Sequence, residues 1–109
     1  MSKIKKEQFK IAKKKVKKYI SFLTKEGFPV DEAYIFGSFA RGDFRENSDI
    51  DVCIVSPRLR KNWNKNESWL WTKTRFVDSR IEPLGYSPED FKSGGVMADT
   101  IKEQGVRVV

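Results

Sequence analysis

Between Ser48 and Pro57 the chain reads Asp49-Ile50-Asp51-Val52-Cys53-Ile54-Val55. Apart from its two acids the run is apolar and mostly β-branched, and Ser56-Pro57 ends it. Such a segment does not alternate between a wet and a dry face. It predicts a central strand buried on both faces, and hence a sheet with cover on each side. Side chains alternate along a strand, so Asp49 and Asp51 project from the same face, about 6–7 Å apart at the backbone. Two carboxylates pointing one way from a buried strand repel each other and lose hydration. A cation beside them removes both penalties, and all-oxygen ligands favour Mg²⁺ or Mn²⁺.

The rest of the chain supplies the cover. Residues 5–25 predict an amphipathic helix, with Phe9, Ala12, Val16, Tyr19, Ile20 and Leu23 at three- and four-residue steps. Gly27 and Pro29 stop it. Ala33–Phe36 predicts a short strand, and residues 38–42 a turn or short helix. A helix is expected from Asn62 to about Asp78, with Trp63, Leu70, Phe76 and one of Trp69 or Trp71 inward. Arg80–Tyr86 predicts a third strand, placed at or near a sheet edge because Pro83 has no N–H for the ladder. Ser87-Pro88-Glu89-Asp90 opens a helix, Val96–Gln104 forms another, and Val106–Val109 a last strand. The expected fold is a single α/β (α+β) domain spanning residues 1–109.

Composition removes whole classes of chemistry. The chain has no histidine and one cysteine, which rules out Ser-His-Asp and Cys-His machinery and the usual zinc sites. A lone Cys53 suits a reducing cytoplasm, and no apolar run is long enough to span a membrane. The net charge is +7, but the first 26 residues hold ten lysines against Glu7 and Glu26, and the remainder is nearly neutral. The Lys face therefore reads first as a solvated helix surface, with nucleic-acid or acidic-partner docking as the less favoured reading. The three tryptophans read as packing residues before a base-stacking platform.

Ahead of the acids lies Gly37-Ser38-Phe39-Ala40-Arg41-Gly42. Gly37 permits a sharp turn and close approach to a ligand. Ser38 stands where a short helix would begin, so its hydroxyl and nearby N–H groups suit a phosphate oxygen, and Arg41 adds a fixed positive charge. An anion holder followed by a carboxylate pair is the equipment of nucleotidyl transfer. Six fixed matches (Gly37, Ser38, Arg41, Gly42, Asp49, Asp51) arise by chance in a chain this long roughly once in 10⁵.

Gly37-Ser38, ten residues, then Asp49-x-Asp51 resembles the signature of the DNA polymerase β-like nucleotidyltransferase superfamily, in its minimal (MNT) branch. Glu82-Pro83 and Ser87-Pro88-Glu89-Asp90-Phe91 resemble the branch's acid-bearing strand and the segment after it. The resemblance implies a nucleotidyltransferase fold, a short mixed four-stranded sheet flanked by helices. It divides the chain into a basic N-terminal helix (about 5–26) and a catalytic core (about 33–109). It also implies Asp49, Asp51 and Glu82 as the catalytic, metal-binding triad, with Asp78 as the alternative third carboxylate, since many relatives have Asp where Glu82 stands. Gly37, Ser38 and Arg41 are then nucleotide-binding, and the cofactor is Mg²⁺, two ions, or Mn²⁺. By the same resemblance the function is metal-dependent transfer of AMP from ATP, or another nucleoside triphosphate, to a hydroxyl of a HEPN-type toxin. The chain would act in the cytoplasm as antitoxin, in a homo- or hetero-oligomer. The alternative is a catalytically weak relative that serves as a binding-only partner or RNA-binding module.

Overall fold

The computed structural model describes all of residues 1–109 and is built around one four-stranded mixed sheet. In chain order the elements are α1 (Lys3–Lys25), β1 (Glu32–Phe36), α2 (Ser38–Arg41), β2 (Ile50–Val55), α3 (Trp63–Lys73), β3 (Ile81–Tyr86), α4 (Pro88–Ser93), α5 (Val96–Gln104) and β4 (Val106–Arg107). The strands lie in the order β3-β2-β1-β4. β1 runs antiparallel to β2 and β4, whereas β2 and β3 are parallel and joined through α3.

β2 is interior, as its composition demands. Ile50, Val52, Cys53, Ile54 and Val55 are all fully buried. One face of the sheet presents Ala33, Ile35, Ile50, Val52, Ile54 and Ile81 to the apolar stripe of α1 and to Leu70 of α3. The other presents Tyr34, Cys53 and Val55 to Phe91 of α4 and to Ala98 and Ile101 of α5. Asp51 shares its parity with Cys53 and Val55, so it belongs to the α4/α5 face. Pro83 sits in β3 at the sheet edge, as expected. Beyond it, Gly85 donates its N–H to Glu67 Oε2 at 2.7 Å and accepts Trp63 Nε1–H at 3.0 Å. Two α3 side chains thus occupy polar groups that an edge strand would otherwise expose.

α1 ends where glycine allows. Gly27 has φ +85°, its N–H bonds Thr24 O, and the Phe28 N–H reaches back to Leu23 O at 2.9 Å. This double closure turns the chain so that Phe28 is buried beneath Trp69, their rings 5.2 Å apart. α1 is further tied to α3 by the Tyr19 hydroxyl, which donates to Leu70 O at 2.7 Å in the core. Tyr19→Phe is expected to lower stability by about 1 kcal/mol. Urea unfolding would measure it, and an unchanged midpoint would show that the bond contributes nothing net.

Three expectations need correction. The third helix stops at Lys73 and tightens into a 3-10 turn over Thr74–Phe76 instead of continuing to Asp78. The Thr74 hydroxyl bonds Trp71 O there, and both the Val77 and Asp78 N–H groups go to Thr74 O. Phe76 is not inward: it is exposed and stacks on Phe22 at 5.3 Å. Trp63 and Trp71 are also partly exposed while Trp69 packs against the core, leaving Leu70 as the fully buried side chain of α3. No helix is long and apolar enough to cross a membrane.

Candidate active site

The sheet pairing brings three strand ends to one place. Because β1 and β2 are antiparallel, Phe36 at the end of β1 lies opposite Asp51 near the start of β2. Because β2 and β3 are parallel, Asp51 also lies opposite Glu82 near the start of β3. Glu82 and Asp51 therefore point from the same sheet face, 31 positions apart in sequence but adjacent in register. Asp49 is one residue before β2 rather than within it, and it is exposed. It remains close enough to act electrostatically on both Asp51 and Glu82.

These charges disturb one another. Burial raises the Asp51 carboxyl above its ordinary range, and Asp49 adds to the effect. Contact with Glu82 and the charge of Arg41 oppose it. Glu82 is raised as well, by burial first and then by Asp49 and Asp51, both of which contact it. The pattern is that of neighbouring carboxyls that resist holding full negative charge together.

Gly37 closes the site from the β1 side. Its backbone has φ +71° and ψ −145°, a region that essentially only glycine enters. A Cβ there would collide with Asp51 Oδ2. The absence of a side chain thus lets the carboxylate lie against the turn. Ser38 is the first residue of α2 and follows directly on the Gly37 turn, so the opening N–H groups of this short helix lack intrahelical partners. Arg41, at the other end of α2, is exposed and held loosely by Asp43 at 3.3 Å.

A cavity of about 520 Å³ adjoins this grip. It runs between α2 and α5 and is lined by Gly37, Ala40, Arg41, Met97, Thr100 and Gln104, among others. Gly37 belongs to both cavity and acid cluster, so the two are separated by no more than one residue. The dimensions are those of a small-molecule site.

Asp78 is placed elsewhere. Lys15 Nζ contacts its Oδ2 at 2.7 Å, and Arg80 donates to it from both backbone and guanidinium. Burial alone would raise this carboxyl, but the bonds from Lys15 and Arg80 outweigh it and hold the group well below the usual carboxylate range. A depressed acid stabilises the fold above its unfolded pKa, and that contribution disappears as pH falls through the folded value. Asp78→Asn should therefore lower stability by about 2 kcal/mol at neutral pH. The gap from the parent should narrow as pH falls below about 4, the unfolded aspartate value. Thermal unfolding between pH 2 and 7 measures this, and a gap independent of pH would refute the assignment.

Asp49, Asp51 and Glu82 offer only oxygen donors, which fits a hard divalent cation. They do not converge into a closed cage of three protein ligands. That also fits, because Mg²⁺ is commonly held by one or two carboxylates completed by substrate phosphates. The raised carboxyls favour a positive charge at this point.

At one end of the sheet, a glycine turn, a short helix and clustered acids thus meet beside a cavity of nucleotide size in an α/β domain. The profile of the family described as "Nucleotidyltransferase domain" matches residues 13–91, and the chain belongs to that family. A candidate protein adenylyltransferase of Methanocaldococcus jannaschii is 48% identical over 42 residues, 38% of this chain. The match spans 40% of that relative's length. A crystal structure of a candidate nucleotidyltransferase from Sulfolobus solfataricus superposes with TM-score 0.72 at 22% identity, over 98% of this chain and 87% of its own. A toxin–antitoxin structure with AMP-PNP superposes with TM-score 0.63 at 22% identity, over 89% of this chain and 72% of its own. At that identity the two structures establish the fold.

The cavity beside Gly37 was missed by sequence reasoning. Ala40, Met97, Thr100 and Gln104 carry no motif, and Met97, Thr100 and Gln104 sit about sixty residues beyond α2. Their spacing along one face of α5 was visible, but not that this face overhangs α2.

Proposed function

We propose that the chain transfers AMP from ATP to a hydroxyl of a partner protein, and that the partner is a HEPN-type toxin neutralised by the modification. The single observation that carries the transfer reading is the register that sets Asp51 beside Glu82, with Asp49 and the Gly37 turn against them. The adenylyl reading is supported by the relatedness to the M. jannaschii protein. The toxin–antitoxin reading is supported by the MNT-like motif and by likeness of fold.

In this reading the Ser38 hydroxyl and the first N–H groups of α2 hold the β- and γ-phosphates, with Arg41 adding charge. The nucleoside occupies the cavity between α2 and α5. Asp49, Asp51 and Glu82 would hold Mg²⁺ together with the substrate phosphates. When bound, the ion supplies neutralisation of the charge that develops on the α-phosphate and the leaving group. Glu82, which reaches the acid cluster from the neighbouring strand β3, takes the proton of the attacking hydroxyl. The acceptor oxygen forms a bond to the α-phosphorus, the bond from that phosphorus to the bridging oxygen breaks, and pyrophosphate leaves.

Incubation with Mg²⁺, α-labelled or γ-labelled ATP and the protein encoded by the adjacent gene tests this. Label should reach that protein from the α position only. Label from the γ position, or none from either, defeats the proposal. The cavity assignment has its own check. Ala40→Trp is expected to raise KM for ATP about tenfold, with kcat much less affected, because the indole fills space the nucleoside needs. An unchanged KM would place the nucleoside elsewhere.

A further inference from the structure

We infer that the outer face of α1 is a docking surface for the phosphate backbone of nucleic acid. Lys3, Lys6, Lys10, Lys13 and Lys17 recur at alternating steps of three and four, so they form one row along the helix. The row is about 21 Å long at the helical rise. Lys3, Lys6, Lys10 and Lys17 are exposed and Lys13 is half-buried. None of the five takes part in an ion pair. The lysines that the fold does use lie off this row: Lys15 on Asp78, and Lys5 on Gly42 O at 2.8 Å.

The row opposes the stability of its own helix. Successive like charges at these spacings repel, and α1 has no acid in its first turn to meet the positive end of its dipole. Glu7, the one acid on α1, lies four residues from Lys3 and three from Lys10, so it offsets the repulsion at that end of the row only. A polyanion relieves all these repulsions together. The chemistry favours nucleic acid over an acidic protein. Protein interfaces are depleted in lysine and need apolar or aromatic anchors at their centre. The row has no aromatic anchor, and the one apolar side chain in the depression that Lys10, Lys13 and Lys17 line is the exposed Ile11. A phosphate backbone asks only for point charges in line.

The surface is separate from the transfer site. α1 covers the sheet face opposite the one that carries Asp51 and Glu82. Nucleic-acid docking therefore does not depend on the nucleotidyl-transfer reading.

The test is fluorescence anisotropy with a labelled 20-nucleotide single-stranded RNA. Five contacts give a slope of about −3.5 in log affinity against log salt, or roughly a hundredfold weakening from 50 to 200 mM KCl. Changing Lys6, Lys10, Lys13 and Lys17 together to Gln should flatten the slope to about −0.7, whereas Arg at the same four positions should keep it. Circular dichroism checks the helix in each variant, whose buried stripe is untouched. Asp51→Asn should bind RNA like the parent. Absence of RNA binding, or a folded Gln variant with the parent's slope, overturns the inference. So does equal or tighter binding of polyglutamate, which would assign the row to an acidic protein.

Discussion

Asp51→Asn is expected to lower the proposed AMP transfer about 10³-fold while raising the melting temperature of the protein when divalent cations are absent. The loss follows from the position of the carboxylate. Asp51 is the acid that touches both the Gly37 turn and Glu82, and holding charge at a reacting phosphate is worth several kcal/mol of barrier. The gain has the same origin. Asp51 and Glu82 both have carboxyls raised above their ordinary values, so the folded state binds their protons more tightly than the unfolded state does. Stability from such a group is complete below the unfolded pKa, about 4, and is lost as pH rises through the folded value. At pH 7 to 8 the parent therefore bears a repulsion that the amide removes, and at pH 3 the two proteins should melt alike. Mg²⁺ with ATP should raise the parent's melting temperature and leave the variant nearly unmoved. Calorimetry across this pH range, paired with the α-labelled ATP assay, reads both arms. A variant that melts lower than the parent at pH 8 would mean that Asp51 is a structural acid.

The second large effect is expected at Gly37. Alanine there meets two obstacles: a backbone conformation that L-residues scarcely adopt, and Asp51 Oδ2 in the space the methyl group would take. The conformation alone costs about 1–3 kcal/mol. Displacing the carboxylate should add to that and reduce transfer by at least about 100-fold. The two parts separate in a double-mutant cycle. If the clash is real, Gly37→Ala in an Asp51→Ala background should lose less stability than it does alone, with a coupling of about 1 kcal/mol. Urea unfolding of the four proteins would measure it. Strict additivity would show that the turn, and not its contact with Asp51, is what demands glycine.

Much of this architecture was legible in the residues because local physics is decisive there. β2 announces itself, since five apolar side chains with no wet face leave no alternative to an interior strand. α1 does so through the period of Ala12, Val16, Tyr19 and Leu23, and its end through Gly27. Pro83 pointed to the edge because a missing N–H cannot be compensated in mid-sheet. The third helix was overextended because Phe76 has the spacing of a core residue, while Thr74 and Asp78 divert the backbone through bonds that no periodicity records. Its neighbours Trp63 and Trp71 proved exposed because a single face of α3, at Leu70, meets the sheet.

Around the acids the division is sharper. Chain order and residue type were enough to mark a glycine-serine turn and a pair of aspartates as one unit, because alternation along a strand is a local property. The resemblance favoured Glu82 over Asp78 as their neighbour, but the physical reason for that choice was beyond the reach of local properties. Both are acids near the start of the same strand, and only parallel pairing in one register sets Glu82 across from Asp51, while Lys15, arriving from a helix 63 residues earlier, claims Asp78. The cavity likewise exists only because α5 returns across α2. Register and helix packing are sums over many distant contacts, so they belong to the folded chain and not to any stretch of it.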